Sequence, residues 1–195
     1  MKKAFIIHGW DGSPQEPMHQ WLKEELIKDG YEVYVPSMPH PEAPTIKEWV
    51  QTIINKVTEA SAPDKETLFI GHSVGCQAVL RATEEIAEGV EIGGIVLIAP
   101  WMELDKQTIE EEGEEVVEIA RPWMETPINF EKIKSHTNNI FAVFSDNDPY
   151  VPVSQKDLFE KELGAKTIVL EGYGHFSPAD NIREVSPVLG YIKSL

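Results

Sequence analysis

The stretch Leu68-Phe69-Ile70-Gly71-His72-Ser73-Val74-Gly75 sets a serine between two glycines, directly after a short apolar run and directly before a segment that reads as a helix. A strand that gives way to a helix within so few residues turns tightly, and the positions flanking the turn crowd the adjoining strand and helix. Glycine, which lacks Cβ, fits there. Ser73 is then lifted to the edge of a sheet, where its hydroxyl can act as a nucleophile. A plain glycine-rich strand-to-helix turn satisfies the same pattern, so the pentapeptide has to be weighed with its surroundings.

Outward from this turn, apolar runs recur at Ala4–Ile7, Val33–Val35, Ile95–Ala99, Ile140–Phe144 and Thr167–Leu170. Most lack the alternation of a half-exposed strand, as expected for strands covered on both faces of a parallel sheet. Helix signals lie between them. Ser13-Pro14-Gln15-Glu16 has the form of a capping box with proline at the first helical position, followed by Met18, Trp21, Leu22 and Leu26 on one face and a stop near Gly30. Thr45 and Glu48 repeat the box before Ile46, Trp49, Val50, Ile53, Ile54 and Val57, spaced by three and four. Further helices are expected after Ser73, over about Ser154–Leu163, and from about Ser186. Strand and helix in alternation predict an α/β fold of three layers, with about six mostly parallel strands and helices on both faces. Ligands of such sheets bind at the carboxyl ends of the strands. The whole chain, 1–195, reads as one domain without a large cap. Its least regular part, 101–137, reads as an insertion over the strand ends.

The chain has 195 residues, one cysteine and a formal net charge of −16, with a pI near 4.7. A lone Cys76 forms no internal disulfide and no zinc-type Cys pair, which fits a reducing cytoplasm. The apolar stretch at the N-terminus, Ala4–Ile7, is short of the roughly 7–15 residues of a secretion signal. Ile92–Met102 is short of the ~20 needed to span a bilayer. The negative field repels phosphate backbones and anionic lipid, so neither nucleic acid nor membrane is expected as a partner. Part of the excess lies in 103–118, where Glu110, Glu111, Glu112, Glu114 and Glu115 surround Gly113. It reads as a solvated face or flap.

A serine hydroxyl needs a base to take its proton and an acid to orient that base. On a sheet of this kind the partners follow in the order serine, acid, histidine. His8, His19, His40 and His72 come too early, and no acid follows a strand between Ser73 and His136. His175, in Gly172-Tyr173-Gly174-His175-Phe176 after the last strand, is the candidate base. The acid should follow Ile140–Phe144, where Ser145-Asp146-Asn147-Asp148-Pro149 offers two. Asp148 is favoured because the proline fixes the loop's direction, with Asp146 as the alternative. Backbone amides of Val74 and of Trp10, or of Gly9 in place of Trp10, are candidate donors to an oxyanion. Trp101, Met102, Tyr150 and Phe176 follow strands and are candidates to line an acyl pocket, with Trp123 and Met124 joining if the insertion folds over it.

These motifs together resemble the small serine hydrolases grouped with retinoblastoma-binding protein nine and its microbial relatives, a compact branch of the α/β-hydrolases. The resemblance runs over nearly the whole chain. It is carried by His8-Gly9-Trp10, Trp21, Gly71-His72-Ser73-Val74-Gly75, Asp148-Pro149-Tyr150-Val151-Pro152 and Gly174-His175-Phe176. It implies Ser73, Asp148 and His175 as the triad on a minimal α/β-hydrolase fold. Binding to a pocket protein through Leu-x-Cys-x-Glu is not implied, because the only cysteine sits in Val74-Gly75-Cys76-Gln77-Ala78. The expected chemistry is hydrolysis of a small ester, thioester or amide, with water as the second substrate and no cofactor or metal required. Two other functions fit the same sequence: a binding scaffold with little chemistry, and a peptidase for cationic N-termini.

Overall fold

Six strands stand where the apolar runs predict them: β1 (Lys3–Ile7), β2 (Glu32–Tyr34), β3 (Thr67–His72), β4 (Gly94–Ile98), β5 (Ile140–Ser145) and β6 (Lys166–Leu170). The structure is a computed structural model describing residues 1–195. The strands form a single sheet in the order β2-β1-β3-β4-β5-β6, and every pair is parallel. The four inner strands are buried along their whole length, whereas β2 and β6 at the edges are partly exposed. Loss of alternation in the sequence thus marks strands with helices on both sides.

Eight α-helices join the strands: α1 (Pro17–Lys28), α2 (Ile46–Ala60), α3 (Val74–Glu84), α4 (Lys106–Glu112), α5 (Glu114–Glu125), α6 (Phe130–Lys134), α7 (Gln155–Leu163) and α8 (Ser186–Ile192). The crossover from β1 to β2 moves one way along the sheet and every later one moves the other way. Right-handed crossovers therefore put α1 on the face opposite the helices that follow. On that second face α2 packs on α3, α3 on α6 and α6 on α7. The C-terminal helix lies with α1. Tyr191 stacks on Phe141 of β5 at 4.4 Å between centroids, and Lys193 reaches Asp29 at 3.3 Å. A cluster of 43 buried residues fills both interfaces.

Two local expectations need correction. The first helix starts at Pro17, not Pro14, because Ser13–Glu16 is spent on a turn in which the Glu16 carboxylate accepts the Ser13 N–H at 2.9 Å. Thr45 does cap α2, accepting the Glu48 N–H at 3.4 Å. The stretch 101–137 is not irregular but holds α4, α5 and α6, with the break between α4 and α5 at Gly113. Its glutamates Glu110, Glu111, Glu112, Glu114 and Glu115 are exposed on these helices, the solvated face of the two readings. No helix is long and apolar enough to cross a membrane.

Candidate active site

The order of the sheet reverses beside β1, between β2 and β3, so the carboxyl ends of β1 and β3 open onto a crevice. Ser73 sits at that opening with φ 53° and ψ −125°, a conformation costly for a residue with a side chain, of order 1–3 kcal/mol. Its N–H is fixed by the Ile98 carbonyl at 2.9 Å. The glycines that flank it are required by space. A Cβ on Gly71 would lie 2.6 Å from Cys76 Cα, and one on Gly75 would lie 2.5 Å from the His8 carbonyl oxygen.

The loop after β5 brings the acid. Asp148 is buried, and its Oδ1 accepts the N–H groups of Tyr150 and Val151 at 2.9 and 3.0 Å. Its Oδ2 lies 2.8 Å from His175 Nδ1, and His175 Nε2 lies 2.9 Å from Ser73 Oγ. Asp146 is turned elsewhere and accepts the Gly172 N–H at 2.8 Å. The two candidate acids are thereby separated: Asp148 touches the imidazole, and Asp146 holds the loop that carries it.

That loop is anchored amide by amide. Besides Gly172 on Asp146, the Tyr173 N–H donates to Ser145 Oγ at 3.0 Å and the Gly174 N–H to Asn147 Oδ1 at 2.8 Å. The His175 N–H donates to Asp180 Oδ2 at 3.0 Å. From the other side His72 Nε2 lies 2.8 Å from the His175 carbonyl oxygen, which can only accept, so that nitrogen carries the proton.

A family model described as serine hydrolase matches residues 4–186. The chain belongs to the serine hydrolase family. This hydrolase is 24% identical over 175 residues to YdeN of Bacillus subtilis, covering 90% of this chain and 86% of YdeN. It is 26% identical over 171 residues to serine hydrolase RBBP9 of Rattus norvegicus, covering 87% and 78%. The crystal structure of the B. subtilis ydeN gene product superposes with a TM-score of 0.85 at 24% identity, over 100% of this chain and 98% of that one. A carboxylesterase of Nitrososphaera gargenis superposes with a TM-score of 0.73 at 15% identity, over 100% and 92%. The serine hydrolase thus has the α/β-hydrolase fold.

In this hydrolase Ser73 and His175 open onto a cavity of about 610 Å³. Of the residues expected to line it, Trp101 and Tyr150 do, and Trp10 joins them. The others do not. Phe176 is fully buried against Tyr173, and Met102 packs on the core while its N–H donates to Gln155 Oε1 at 2.9 Å. Trp123 is drawn into the core beside Trp49, its indole N–H donating to the Pro44 carbonyl at 2.9 Å, and Met124 packs on the same core. Their places are taken by Leu104, Ile109 of α4 and Val116 of α5. The helices of 101–137 therefore do wall the site, through residues whose helical spacing was hidden by the glutamates around them.

Four lining groups are acidic, Asp11, Glu16, Glu112 and Asp180, and no lysine or arginine is among the lining residues. Burial raises the pKa of Glu16, against the Ser13 N–H bond that lowers it. The amides of Trp10 and Val74 have no hydrogen-bond partner within the protein. His8 organises its own loop, bonded to the Gly9 carbonyl and accepting the Met38 N–H at 3.0 Å. His136 binds the Val90 carbonyl at 2.7 Å, and His40 is exposed. Cys76 is buried with its thiol donating to the Ile98 carbonyl at 3.3 Å, and burial pushes its pKa well above the ordinary value, which disfavours the thiolate.

Proposed function

We propose that this serine hydrolase cleaves small carboxylic esters by an acyl-enzyme mechanism, with thioesters and small amides as chemically related substrates. The observation that carries this reading is the unbroken contact Ser73 Oγ to His175 Nε2 to Asp148 Oδ2, at 2.9 and 2.8 Å, beside a cavity with an apolar wall. As Ser73 Oγ attacks the carbonyl carbon, His175 Nε2 takes the hydroxyl proton. The Nδ1–H donates to Asp148, which stabilises the imidazolium. The free amides of Val74 and Trp10 donate to the oxyanion, each such donor supplying about 3 kcal/mol in well-studied hydrolases. Collapse of the tetrahedral intermediate expels the leaving group, which receives the proton from His175. Water then enters and gives a proton to the same nitrogen as its oxygen bonds to the acyl carbon; the bond to Ser73 Oγ breaks as that oxygen takes the proton back from His175, which releases the acid and restores the serine.

Trp101, Leu104, Ile109 and Val116 supply the surface for an acyl chain. Each methylene they cover contributes about 0.8 kcal/mol, or roughly fourfold in kcat/KM. A panel of chromogenic esters should therefore rise stepwise with chain length and then fall when the cavity is full. Labelling with a fluorophosphonate, with Ser73→Ala as control, tests the nucleophile: equal labelling of both proteins, or of neither, refutes it.

The acidic rim favours a second reading, an amidase for substrates with a cationic amine. Aminoacyl amides would then be preferred to neutral esters, with the preference weakening as salt rises. A salt-independent preference for esters excludes it.

A further inference from the structure

Behind the cavity, His19 of α1 and His72 of β3 face each other with ring centroids 5.7 Å apart, and both are buried. Each has one ring nitrogen committed. His72 Nε2 donates to the His175 carbonyl, and His19 Nδ1 lies 3.3 Å from the Ser13 carbonyl and 3.6 Å from Glu16 Oε2. The remaining nitrogens, His72 Nδ1 and His19 Nε2, have no hydrogen-bond partner within the protein. With the protons on the committed nitrogens, both free ones are lone pairs, and two acceptors cannot satisfy one another. Buried acceptors left unpaired cost about 1–3 kcal/mol each, so the arrangement calls for a donor or a cation.

A carboxylate completes the group. One ligand atom from each of Glu16, His19 and His72 lies within 4.8 Å of the others. Two imidazoles and a carboxylate form the donor set of three-ligand zinc sites that keep a fourth position open. Gly9 keeps the space beside His72 clear, since a Cβ there would stand 3.1 Å from Nδ1. Glu16 and His72 both line the cavity, which provides the way in. Bonds of about 2.1 Å would bring the ligand atoms to about 3.5 Å apart. From separations of up to 4.8 Å this is a contraction of at most about 1.3 Å, shared among the three side chains. The imidazoles are already neutral at physiological pH, because burial holds His19 down to about 4 and His72 well below its ordinary value.

We infer that Glu16, His19 and His72 form a binding site for a divalent transition-metal ion of the zinc class, and that its occupancy slows acylation of Ser73. The second half rests on the proposed role of His175 as base. The His72 ring stands 5.3 Å from the His175 ring between centroids, so an ion bound at His72 Nδ1 opposes the imidazolium that must form as Ser73 attacks.

Titration with Co²⁺, read by visible absorption, and competition by Zn²⁺ test the site without reference to turnover. One equivalent should bind, and His19→Asn and Glu16→Gln should each weaken binding at least tenfold. Absence of a saturable spectrum, or wild-type affinity in the variants, overturns the site. If His19→Asn does not fold, judged by circular dichroism, Glu16→Gln decides alone. Zinc should slow fluorophosphonate labelling at least tenfold more in the wild type than in Glu16→Gln. Equal slowing in both places the ion elsewhere and overturns the coupling. Failure of Ser73 to label even without zinc counts against the proposed hydrolysis, while the Co²⁺ titration still decides the ion site.

Discussion

The carboxylate of Asp180 holds the backbone of His175: Oδ2 accepts the His175 N–H at 3.0 Å and also takes the N–H and hydroxyl of Ser177, at 3.0 and 2.6 Å. It makes no hydrogen bond to Ser73 or to the imidazole nitrogens, so its expected role is to position the proposed base. Gly174 is required for the same contact, because a Cβ there would lie 2.0 Å from Asp180 Oδ1 and the residue has φ 52°. Removing the carboxylate frees the loop end, and a displacement of about 1 Å at a reacting group costs on the order of 10²-fold. Asp180→Ala should lower kcat roughly 10- to 100-fold with little change in KM on a chromogenic ester, and Asp180→Asn should restore part of it. An unchanged kcat, or a loss confined to KM, counts against a positioning role.

Asp148 and Asp146 are told apart by what amidation does to each. In Asp148→Asn the Oδ1 position still accepts from Tyr150 and Val151, which leaves an NH₂ group facing His175 Nδ1. The imidazole must then carry its proton on Nε2 and can no longer accept from Ser73. If the proposed mechanism holds, a loss of roughly 10⁴ in kcat is expected, by analogy with the equivalent change in established Ser-His-Asp triads. Asp146→Asn keeps the acceptor for Gly172 and should stay within a few-fold of wild type. Steady-state kinetics of the two variants side by side check this, and reversed magnitudes would make Asp146 the acid.

At the elbow the obstacle to any side chain is backbone. A Cβ on Gly75 would meet the carbonyl oxygens of His8 and Ile7 at 2.5 and 2.6 Å, and neither can move without moving β1. Gly75→Ala should destabilise the fold by about 1–3 kcal/mol and abolish fluorophosphonate labelling in whatever protein remains folded. Gly190, in α8, has open space at the same position, so Gly190→Ala should be neutral or stabilising by up to about 1 kcal/mol. Urea midpoints and labelling of the pair measure the difference. Equal midpoints would mean that the close approach at Gly75 is not real.

What could be read in the sequence follows from the range of the interactions involved. Strands β1, β3, β4 and β5 are legible because burial on both faces removes alternation locally, and Gly71 and Gly75 because a tight turn dictates its own residues. Ser73, Asp148 and His175 are 102 and 27 positions apart in their contacts, yet chain order on a parallel sheet brings them into register. The lining was less legible. Trp123 and Phe176 were drawn to the core by packing that only the tertiary structure defines, whereas Ile109 and Val116 sit among glutamates that masked their face. Asp180 did leave a local trace, the Ser177-Pro178-Ala179-Asp180 box, but its bond to His175 depends on how the loop folds back.

His19 links the core to pH. Its pKa is lowered from 6.5 to about 4, chiefly by burial, with the Ser13 carbonyl opposing. Above pH 6.5 neither the folded nor the unfolded chain carries a proton there, and the residue adds no pH dependence. As pH falls below 6.5 the unfolded chain takes up a proton that the folded chain refuses, so stability declines until about pH 4, where the folded imidazole also titrates. A shift of that size corresponds to about 3 kcal/mol lost across the window. His19→Asn keeps a donor for the Ser13 carbonyl but does not titrate. Measured in urea with a chelator present, its stability should be the flatter of the two between pH 6.5 and 4, by on the order of 2–3 kcal/mol. His8 and His72, whose pKa values are also lowered by burial, will leave part of the slope in the variant. Parallel curves for the two proteins would show that His19 is protonated as readily in the folded chain as in the unfolded one.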